Sequence, residues 1–463
     1  MIIKTFAAAK VQKKNEMRKF FYIIVCIFLL GMTSCEQSST TSTQKSSVAE
    51  LTSFTFAKND TIPGLAKAVF TIEDRIDTGF VWNKDSMLYG TSLKRVVPKF
   101  TFAATPGAAY FTTPDTVMLL TGYDTLDFSK EPIYLNVRSQ DAKTIKVYQI
   151  HPTVHQSDPD LYVWDVLNEG VYPNDDSEQK VMLLGGNFLM ISSNGYEIDL
   201  YSSANGEDWS PLSAPTGLPI GTKVRQMISD GERLYYGQDS SVYTSDDAIT
   251  WTEHKTNYPV RTMLMYWNEE IWLLTEQKEQ YEIATFDGDS VKLRNLLIDG
   301  EFPISDFATV SFFNASGRER AMIIGGFAEN GKSLNTRWNF EYSHHIKENG
   351  GYRIQEFSID RPKFTSLTGI STVYYNDQLL LFGGVDSSMN YFGRDIMVSN
   401  NEGLTWTAAD STKNQLPEAY QARQKQSAIA VDDYIYLFGG QDAHMTYSDV
   451  YRGKLNSINW IKK

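Results

Sequence analysis

Three apolar runs that end in paired glycines decide the fold: AMIIGG at 321–326, LLLFGG at 379–384 and IYLFGG at 435–440. Each run is typical of a short buried strand that stops at a tight turn. The runs recur at intervals of 56 to 58 residues. Repetition at such a period predicts an architecture of stacked repeats, which for strands is a β-propeller.

The sequence around these runs divides into six units when it is aligned by strand pattern. Each unit has an apolar inner strand, a tight turn, a Tyr- and Leu-rich second strand, a third strand and an outer strand that often opens with Trp. Units of about 35–60 residues fit the four-stranded blades of a propeller. The units begin near Lys180, Val224, Val260, Asp306, Phe364 and Gln426.

Three polar segments end in tryptophan just before an outer strand: Ser202–Trp209, Thr244–Trp251 and Ser399–Trp406. In each, a hydroxyl residue precedes the tryptophan by seven positions. A short polar side chain can accept hydrogen bonds from the amides of its own turn, and the Trp ring can pack between blades. We call these segments the Trp-terminated turns and expect them to be structural.

The paired glycines resemble the kelch repeat, and the Trp-terminated turns resemble the Asp-box. These likenesses imply a fold rather than a chemistry. Kelch propellers include galactose oxidase, which needs a Cys–Tyr cross-link, and residues 179–463 contain no cysteine. Asp-box propellers include sialidases, whose Arg-Ile-Pro segment is not found here. A kelch-type sugar mutarotase is closer in architecture, but no residue set in this chain transfers its activity.

The first 34 residues read as a targeting segment. Basic residues precede an apolar run, Phe20–Met32, that is shorter than the roughly 20 residues of a spanning helix. Met32, Thr33, Ser34 and Cys35 resemble a bacterial lipobox, which implies cleavage and lipid attachment at Cys35. The signal is complete from Met17, and the sequence leaves open whether translation starts at Met1 or at Met17.

Composition supports the lipid anchor and restricts the partners. The chain has two cysteines, and Cys26 lies in the apolar run, so cleavage leaves Cys35 as the one thiol. The net charge is −13, and removal of residues 1–34 brings it to about −18. Nucleic acid is a poor partner for such a chain because phosphate binding needs clustered Lys and Arg.

The mature chain divides by composition into four segments. Residues 35–47 form a polar tether, residues 48–153 an immunoglobulin-like β-sandwich, residues 154–178 a linker and residues 179–463 the propeller. Strands in the sandwich are predicted at Leu51–Phe56, Val69–Ile72 and Val96–Phe102. A hairpin follows, because Ile133, Leu135 and Val137 alternate with polar residues before a second run from Thr144 to Ile150. The fold class is therefore all-β.

Basic residues at the start of several inner strands predict a binding site at the axial mouth. In an acidic chain they would focus a positive potential there, and aromatic residues in the loops after the second strands would flank it. This pattern favours an anionic sugar or another carboxylate ligand, although each arginine could instead pair with a local acid. The candidate residues are Arg225, Arg261, Arg361, Arg423, Lys425, Tyr391, Phe392, His444 and Tyr447.

No catalytic, metal or cofactor site is predicted. The adjacent pair His344–His345 would point to opposite faces of a strand, which makes a shared ion difficult. The lipobox, tether, sandwich and propeller together resemble uncharacterised cell-envelope lipoproteins of Bacteroidetes. That resemblance implies an outer-membrane location, at the cell surface or on the periplasmic face, and no established activity.

Two functions stay open from the sequence. The first is a binding module for a glycan or a surface glycoprotein, which we favour. The alternative is a carbohydrate-active enzyme of sialidase or mutarotase type.

Overall fold

The computed structural model describes residues 44–62, 64–119, 124–168, 178–277, 280–298, 301–358, 367–411 and 413–456. The chain divides into two units, Met1–Val154 and His155–Lys463. Within the described ranges the only helices are three short 3₁₀ segments: Leu65–Lys67, Val224–Gln226 and Asn349–Gly351. None of them has the length or apolar character needed to cross a membrane. The protein is all-β, as the sequence predicts.

The N-terminal unit contains eight strands in two sheets. A two-stranded sheet pairs β1 with β4, and a six-stranded sheet has the order β2-β3-β8-β7-β5-β6. β3 and β8 run parallel, whereas the other pairs are antiparallel. The strands are β1 (Leu51–Phe56), β2 (Phe70–Asp74), β3 (Thr78–Asn83), β4 (Pro98–Phe102), β5 (Ala108–Thr112), β6 (Val117–Leu119), β7 (Ile133–Arg138) and β8 (Ile145–His151).

One apolar core lies between these two sheets. Phe54 and Phe56 of β1 and the alternating residues of β7 are all buried within it. Burial of every second residue is what a strand with one face on a core requires. The predicted hairpin is the β7–β8 pair, and β1 has the predicted bounds. The immunoglobulin-like class of this sandwich stays a prediction.

The second unit contains the propeller. Its strands are β9 (Tyr162–Asn168), β10 (Glu178–Leu184), β11 (Asn187–Ser193), β12 (Ile198–Ser203), β13 (Ser210–Pro211), β14 (Ile228–Ser229), β15 (Leu234–Ser245), β16 (Thr252–Trp267), β17 (Glu270–Gln277), β18 (Gln280–Phe286), β19 (Val291–Leu297), β20 (Ala308–Phe313), β21 (Glu319–Ile324), β22 (Thr336–Tyr342), β23 (Tyr352–Ser358), β24 (Ser371–Tyr375), β25 (Gln378–Phe382), β26 (Met397–Ser399), β27 (Thr407–Ala408), β28 (Ser427–Val431), β29 (Tyr434–Phe438) and β30 (Val450–Leu455).

These strands form the six predicted blades. β10–β13 form the first blade, β20–β23 the fourth and β24–β27 the fifth. The second and third blades share one sheet, β14–β19, because β16 runs from the outer strand of one into the inner strand of the next.

An apolar cluster lies at every junction between neighbouring blades. The clusters join blades one and two, two and three, three and four, four and five, five and six, and six and one. The last of them packs Phe188 and Met190 of the first blade against Tyr436 and Phe438 of the sixth. Six junctions among six blades close the ring.

The sixth blade takes its outer strand from the start of the unit. β9 pairs antiparallel with β30, with Tyr162 opposite Leu455. We call this pair the clasp, because it joins the two ends of the propeller chain within one sheet. Residues 154–178 are therefore not only a linker, since they contain a strand of the propeller.

The paired glycines lie at close approaches between blades. Gly326 donates a backbone hydrogen bond to Leu367 O at 2.7 Å, and Gly384 donates one to Arg423 O at 2.8 Å. A Cβ on Gly325 would lie 2.1 Å from Leu367 O. Glycine is needed there because any side chain would strike the backbone of the next blade.

The Trp-terminated turns form the predicted internal hydrogen bonds, but not at one spacing. In the third turn Ser399 Oγ accepts from Gly403 N at 2.8 Å, seven residues before Trp406. In the first two turns the bonded hydroxyls are Ser203 and Ser245, six residues before their tryptophans. The predicted common offset is therefore wrong, because two of the turns are one residue shorter.

Candidate functional site

One end of the propeller carries the residues that precede the inner strands. In an antiparallel blade this end also carries the loops from second to third strands. It includes residues 304–306, 367–370 and 423–426, and the loops 325–335, 383–396 and 439–449. We call this end the loop face. The candidate propeller residues that the structure describes lie at or near it.

The side chains of Arg225, Asp306 and Lys425 meet at the propeller axis, and that of Lys180 bonds the backbone of Arg225 beside them. We call these four residues the axial cluster. Arg225 Nη1 donates to the backbone oxygens of Gln179 at 3.1 Å and Lys425 at 2.5 Å. Arg225 Nε lies 3.4 Å from Asp306 Oδ1, and Lys425 Nζ lies 3.7 Å from Asp306 Oδ2. These residues come from blades one, two, four and six. Blades that are not neighbours in a ring meet only near its axis.

Lys180 is a cation without a carboxylate partner among the described residues. Its Nζ donates to Arg225 O at 2.9 Å and to Met227 O at 2.5 Å. Burial, with a smaller contribution from the Arg225 charge, lowers the pKa of Lys180 to about 7. Near neutral pH its amine therefore exchanges between charged and neutral forms.

The axial cluster contains three basic side chains and one carboxylate. The side chains of Arg225, Asp306 and Lys425 are 15%, 17% and 22% exposed, so solvent still reaches them. At this degree of burial charges interact more strongly than on the open surface. The cluster can attract an anion, provided that the anion competes with Asp306.

The backbone holds two of these residues in a strained conformation. Asp306 and Lys425 have φ angles of 50° and 61°, and the equivalent residue of the fifth blade is Gly369, with φ of 65°. Lys425 N donates to Gly369 O at 2.6 Å, and Gly369 N donates to Asp306 O at 2.9 Å. Left-handed backbone costs an ordinary residue about 1–2 kcal/mol. Glycine would avoid that cost, so the side chains of Asp306 and Lys425 are the unexpected feature.

Arg261 lies in a separate group of ion pairs. Its Nε is 3.4 Å from Glu276 Oε2, and its Nη2 pairs with Glu329, which also accepts from Tyr281 Oη. Arg261 is 33% exposed and Glu329 56% exposed. The predicted contribution of Arg261 to a positive mouth is offset by these two carboxylates.

Arg423 is a structural residue in this protein, which corrects its predicted place in the site. Its side chain is 1% exposed and forms a two-point ion pair with Asp449. The guanidinium also lies 3.8 Å from the ring centre of Tyr447 and 4.5 Å from that of Tyr420. No ligand can reach it without opening the sixth blade.

The predicted aromatic residues divide between the core and the rim. Phe392 packs against the core between the fourth and fifth blades. Tyr447 is buried below Arg423 and donates to Asp442 Oδ2 at 2.6 Å. Tyr391 is half-buried, and burial together with the Asp442 charge raises its pKa. His444 is exposed, and its backbone N donates to Asp442 Oδ1 at 2.7 Å.

Of the predicted set, the structure therefore brings Arg225 and Lys425 together, with Tyr391 and His444 on the rim. Arg361 and Cys35 lie outside the described residues. The sequence did not single out Lys180 and Asp306, although both open predicted units. Asp306 precedes its inner strand by two residues, as Lys425 does, and Lys180 lies within the first inner strand.

The described residues contain no group of three or more His, Cys, Asp or Glu side chains placed to hold a metal ion. His344 Nδ1 instead lies 3.2 Å from Tyr342 Oη. The site is thus built from amines, a guanidinium and one carboxylate.

The comparisons with known proteins concern the fold and the family. A solved structure titled "Structure of YjhT" is 13% identical, covers 62% of this chain and 96% of its own, and has a TM-score of 0.45. No protein with a curated description matches. Residues 37–151 match the N-terminal domain of the domain of unknown function DUF6242, and residues 158–463 match the DUF6242 beta propeller domain. Because these matches span most of the sequence, the chain belongs to the DUF6242 family.

Proposed function

We propose that this protein is a lipoprotein of the outer membrane, anchored at Cys35, whose propeller binds an anionic glycan at the loop face. The observation that carries the proposal is the axial cluster, in which Arg225 and Lys425 share the one carboxylate of Asp306 and Lys180 bonds the backbone of Arg225. The chain as a whole has a net charge of −13, so a local excess of basic groups does not follow from composition.

The physical argument is one of charge and hydrogen bonding. A sugar carboxylate accepts from guanidinium and ammonium donors in charge-assisted bonds, which are about twice as strong as neutral ones. Partial burial of Arg225 and Lys425 reduces screening by salt. The half-buried Tyr391 ring at the rim offers an apolar surface to a sugar ring.

Backbone strain supports the same proposal. A lysine at a left-handed position costs stability, and such residues concentrate where a side chain is needed for function. Lys425→Gly should therefore relieve strain and at the same time remove one cation from the site.

The test is a glycan array with sialylated, uronate-containing, sulfated and neutral glycans, followed by titration calorimetry of the bound class. We expect anionic glycans to bind, and Lys425→Gly to weaken binding about tenfold because a charged hydrogen bond contributes roughly 1.5–3 kcal/mol. Lys347→Met, an exposed lysine on another loop, should leave affinity unchanged. Equal affinity of Lys425→Gly and the parent would contradict the proposal.

The anchor has its own test. Labelling of cells with an alkyne fatty acid should mark the parent chain, and Cys35→Ser should abolish the label and release the protein from the membrane fraction. An unlabelled parent chain would contradict lipid attachment at Cys35. It would not bear on glycan binding by the propeller.

One observation favours the alternative, a carbohydrate-active enzyme. Tyr281 donates to Glu329 beside Arg261, and a Tyr–Glu pair next to an arginine is what a sialidase-type reaction uses. This pair lies on an exposed rim, which fits binding better than a reaction that excludes water. Turnover of sialosides that disappears in Tyr281→Phe would favour the enzyme.

A further inference from the structure

A cavity of about 470 Å³ lies between the fourth and fifth blades, and we call it the lateral cavity. Its walls come from β21, β22 and β23 on one side, and from β24, β25 and the third Trp-terminated turn on the other. Its volume falls within the roughly 300–1,000 Å³ of small-molecule sites. The loops that border it, at Asn314 and Asp377, join first to second strands. They lie at the end of the propeller opposite the loop face.

Both arginines of the lateral cavity are paired with carboxylates. Arg320 Nη1 lies 2.8 Å from Glu341 Oε1, and Arg353 Nη2 lies 2.9 Å from Glu341 Oε2. Burial opposes ionisation of Glu341, but the bonds and charges of both arginines outweigh it and hold its pKa below the usual value. Glu402 lies 3.8 Å from Arg320 Nε and accepts from Asn314 Nδ2 at 2.9 Å.

This charge balance selects against an anion. The two arginines are matched by Glu341 and Glu402, and Asp377 adds a further carboxylate. An incoming anion would meet no unpaired cation there. An uncharged ligand has no such penalty, and its hydroxyl groups can donate to carboxylates and accept from guanidinium groups.

An unused hydrogen-bond acceptor marks the wall of the cavity. Asn339 Oδ1 is buried and has no hydrogen-bond partner in the described structure. A buried acceptor left without a donor costs about 1–3 kcal/mol. A ligand hydroxyl would remove that cost once the Asn339 amide turned its Oδ1 toward the cavity. The side chain of Gln355 lines the same space and adds a further amide.

An aromatic ring completes the lining. Tyr374 stacks on Phe312 with ring centres 4.4 Å apart and planes within 17°. It also donates to Asp377 Oδ1 at 3.2 Å, and these two contacts fix the ring. A rigid aromatic ring beside amides and carboxylates is suited to a ligand that has both C–H faces and hydroxyl edges.

We propose that the lateral cavity is a second binding site, specific for an uncharged sugar residue. It is independent of the axial cluster, since it lies at the other end of the propeller and its arginines are already paired with carboxylates. Its ligand is held by Asn339, the Glu341–Arg320 pair and the Tyr374 ring.

The experiment uses the full mature chain on an array of neutral oligosaccharides of hexoses, N-acetylhexosamines and deoxyhexoses, with calorimetry on the best of them. Asn339→Leu should weaken neutral-glycan binding at least tenfold. The same variant should be no less stable than the parent, because it removes an unpaired acceptor. Gln355→Leu, at an exposed position of β23, tests the site again if Asn339→Leu does not fold.

Asn335→Leu is the matched control, being the same substitution in the same blade outside the cavity. It should bind as the parent does. Unchanged neutral-glycan affinity in Asn339→Leu and Gln355→Leu would overturn the proposal, and so would equal loss in Asn335→Leu. Anionic binding that depends on Lys425 but not on Asn339 would support the axial site alone. Neutral binding that depends on Asn339 but not on Lys425 would support the lateral cavity alone.

Discussion

Lys180 and Arg423 are both basic residues inside the propeller, and their partners determine their roles. Arg423 is matched by Asp449 and enclosed by tyrosine rings. Lys180 donates only to backbone carbonyls in the described structure. The Arg423 charge is thus neutralised inside the sixth blade, whereas burial without a carboxylate lowers the pKa of Lys180. Sequence alone placed both residues near inner strands and could not separate them, because their partners are far along the chain.

Removal of the Asp449 carboxylate should destabilise the propeller strongly. Asp449→Ala leaves the Arg423 charge buried and unpaired, which costs about 3–5 kcal/mol. The double variant Arg423→Met with Asp449→Leu should recover most of that loss. Urea denaturation of the single and double variants measures both effects. Equal destabilisation of the two would show that the ion pair is not the cause.

Lys180 should give the protein a pH-dependent stability. Its folded pKa of about 7 lies below its unfolded value, so the unfolded chain binds more protons between these two pKa values. The free energy of unfolding should therefore rise as pH increases above 7, by at most about 1.4 kcal/mol per pH unit. Lys180→Met should remove this rise. Denaturation from pH 6.5 to 9.5 measures the slopes, and Lys347→Met should keep the parent slope.

At the scale of strands and turns, local pattern predicted much of the structure. Alternation identified β7 and β8, and the paired glycines located the ends of second strands. The spacing of the Trp-terminated turns was predicted less well, because adjacent hydroxyl residues such as Ser202 and Ser203 both fit the pattern. Only backbone geometry distinguishes which of them bonds the turn. The continuous strand β16 was also missed, because Pro259 within it is typical of the end of a strand.

The two glycine pairs at residues 185–186 and 325–326 provide a direct test of close approach between blades. Gly325→Ala places a Cβ against Leu367 O, and we expect a loss of about 2–4 kcal/mol from the clash and the left-handed backbone. Gly185 also has a positive φ, of 58°, but a Cβ at this position would have no other atom within 4 Å. It should cost only about 1 kcal/mol. Thermal unfolding compares the two, and equal losses would rule out the clash.

At the scale of the molecule, the ring depends on a pairing between its ends. Local pattern cannot identify a partner strand almost 300 residues away, so the sequence predicts residues 154–178 only as a linker. The axial cluster was only partly predicted for the same reason. Arg225 meets Asp306 and Lys425 only because the ring brings distant inner strands to one axis.

The clasp should be needed for a stable propeller. A chain that starts at residue 178 lacks β9, which exposes the edge of β30 and the core around Tyr162. We expect a loss of at least about 3 kcal/mol, because one large buried side chain alone contributes roughly 1.5–3 kcal/mol. A chain that starts at residue 155 is the control. If both chains unfold at one temperature, the clasp contributes nothing to stability.

Because of the clasp, the propeller chain could begin and end at a different blade. Tyr162 and Leu455 are opposite each other in an antiparallel pair, so their Cα atoms are about 5 Å apart. A short peptide could join them, and new ends could be cut at Gly185–Gly186, a turn with open space around both residues. Such a circular permutant keeps every contact between blades. In it, β30 and β9 are joined by a peptide.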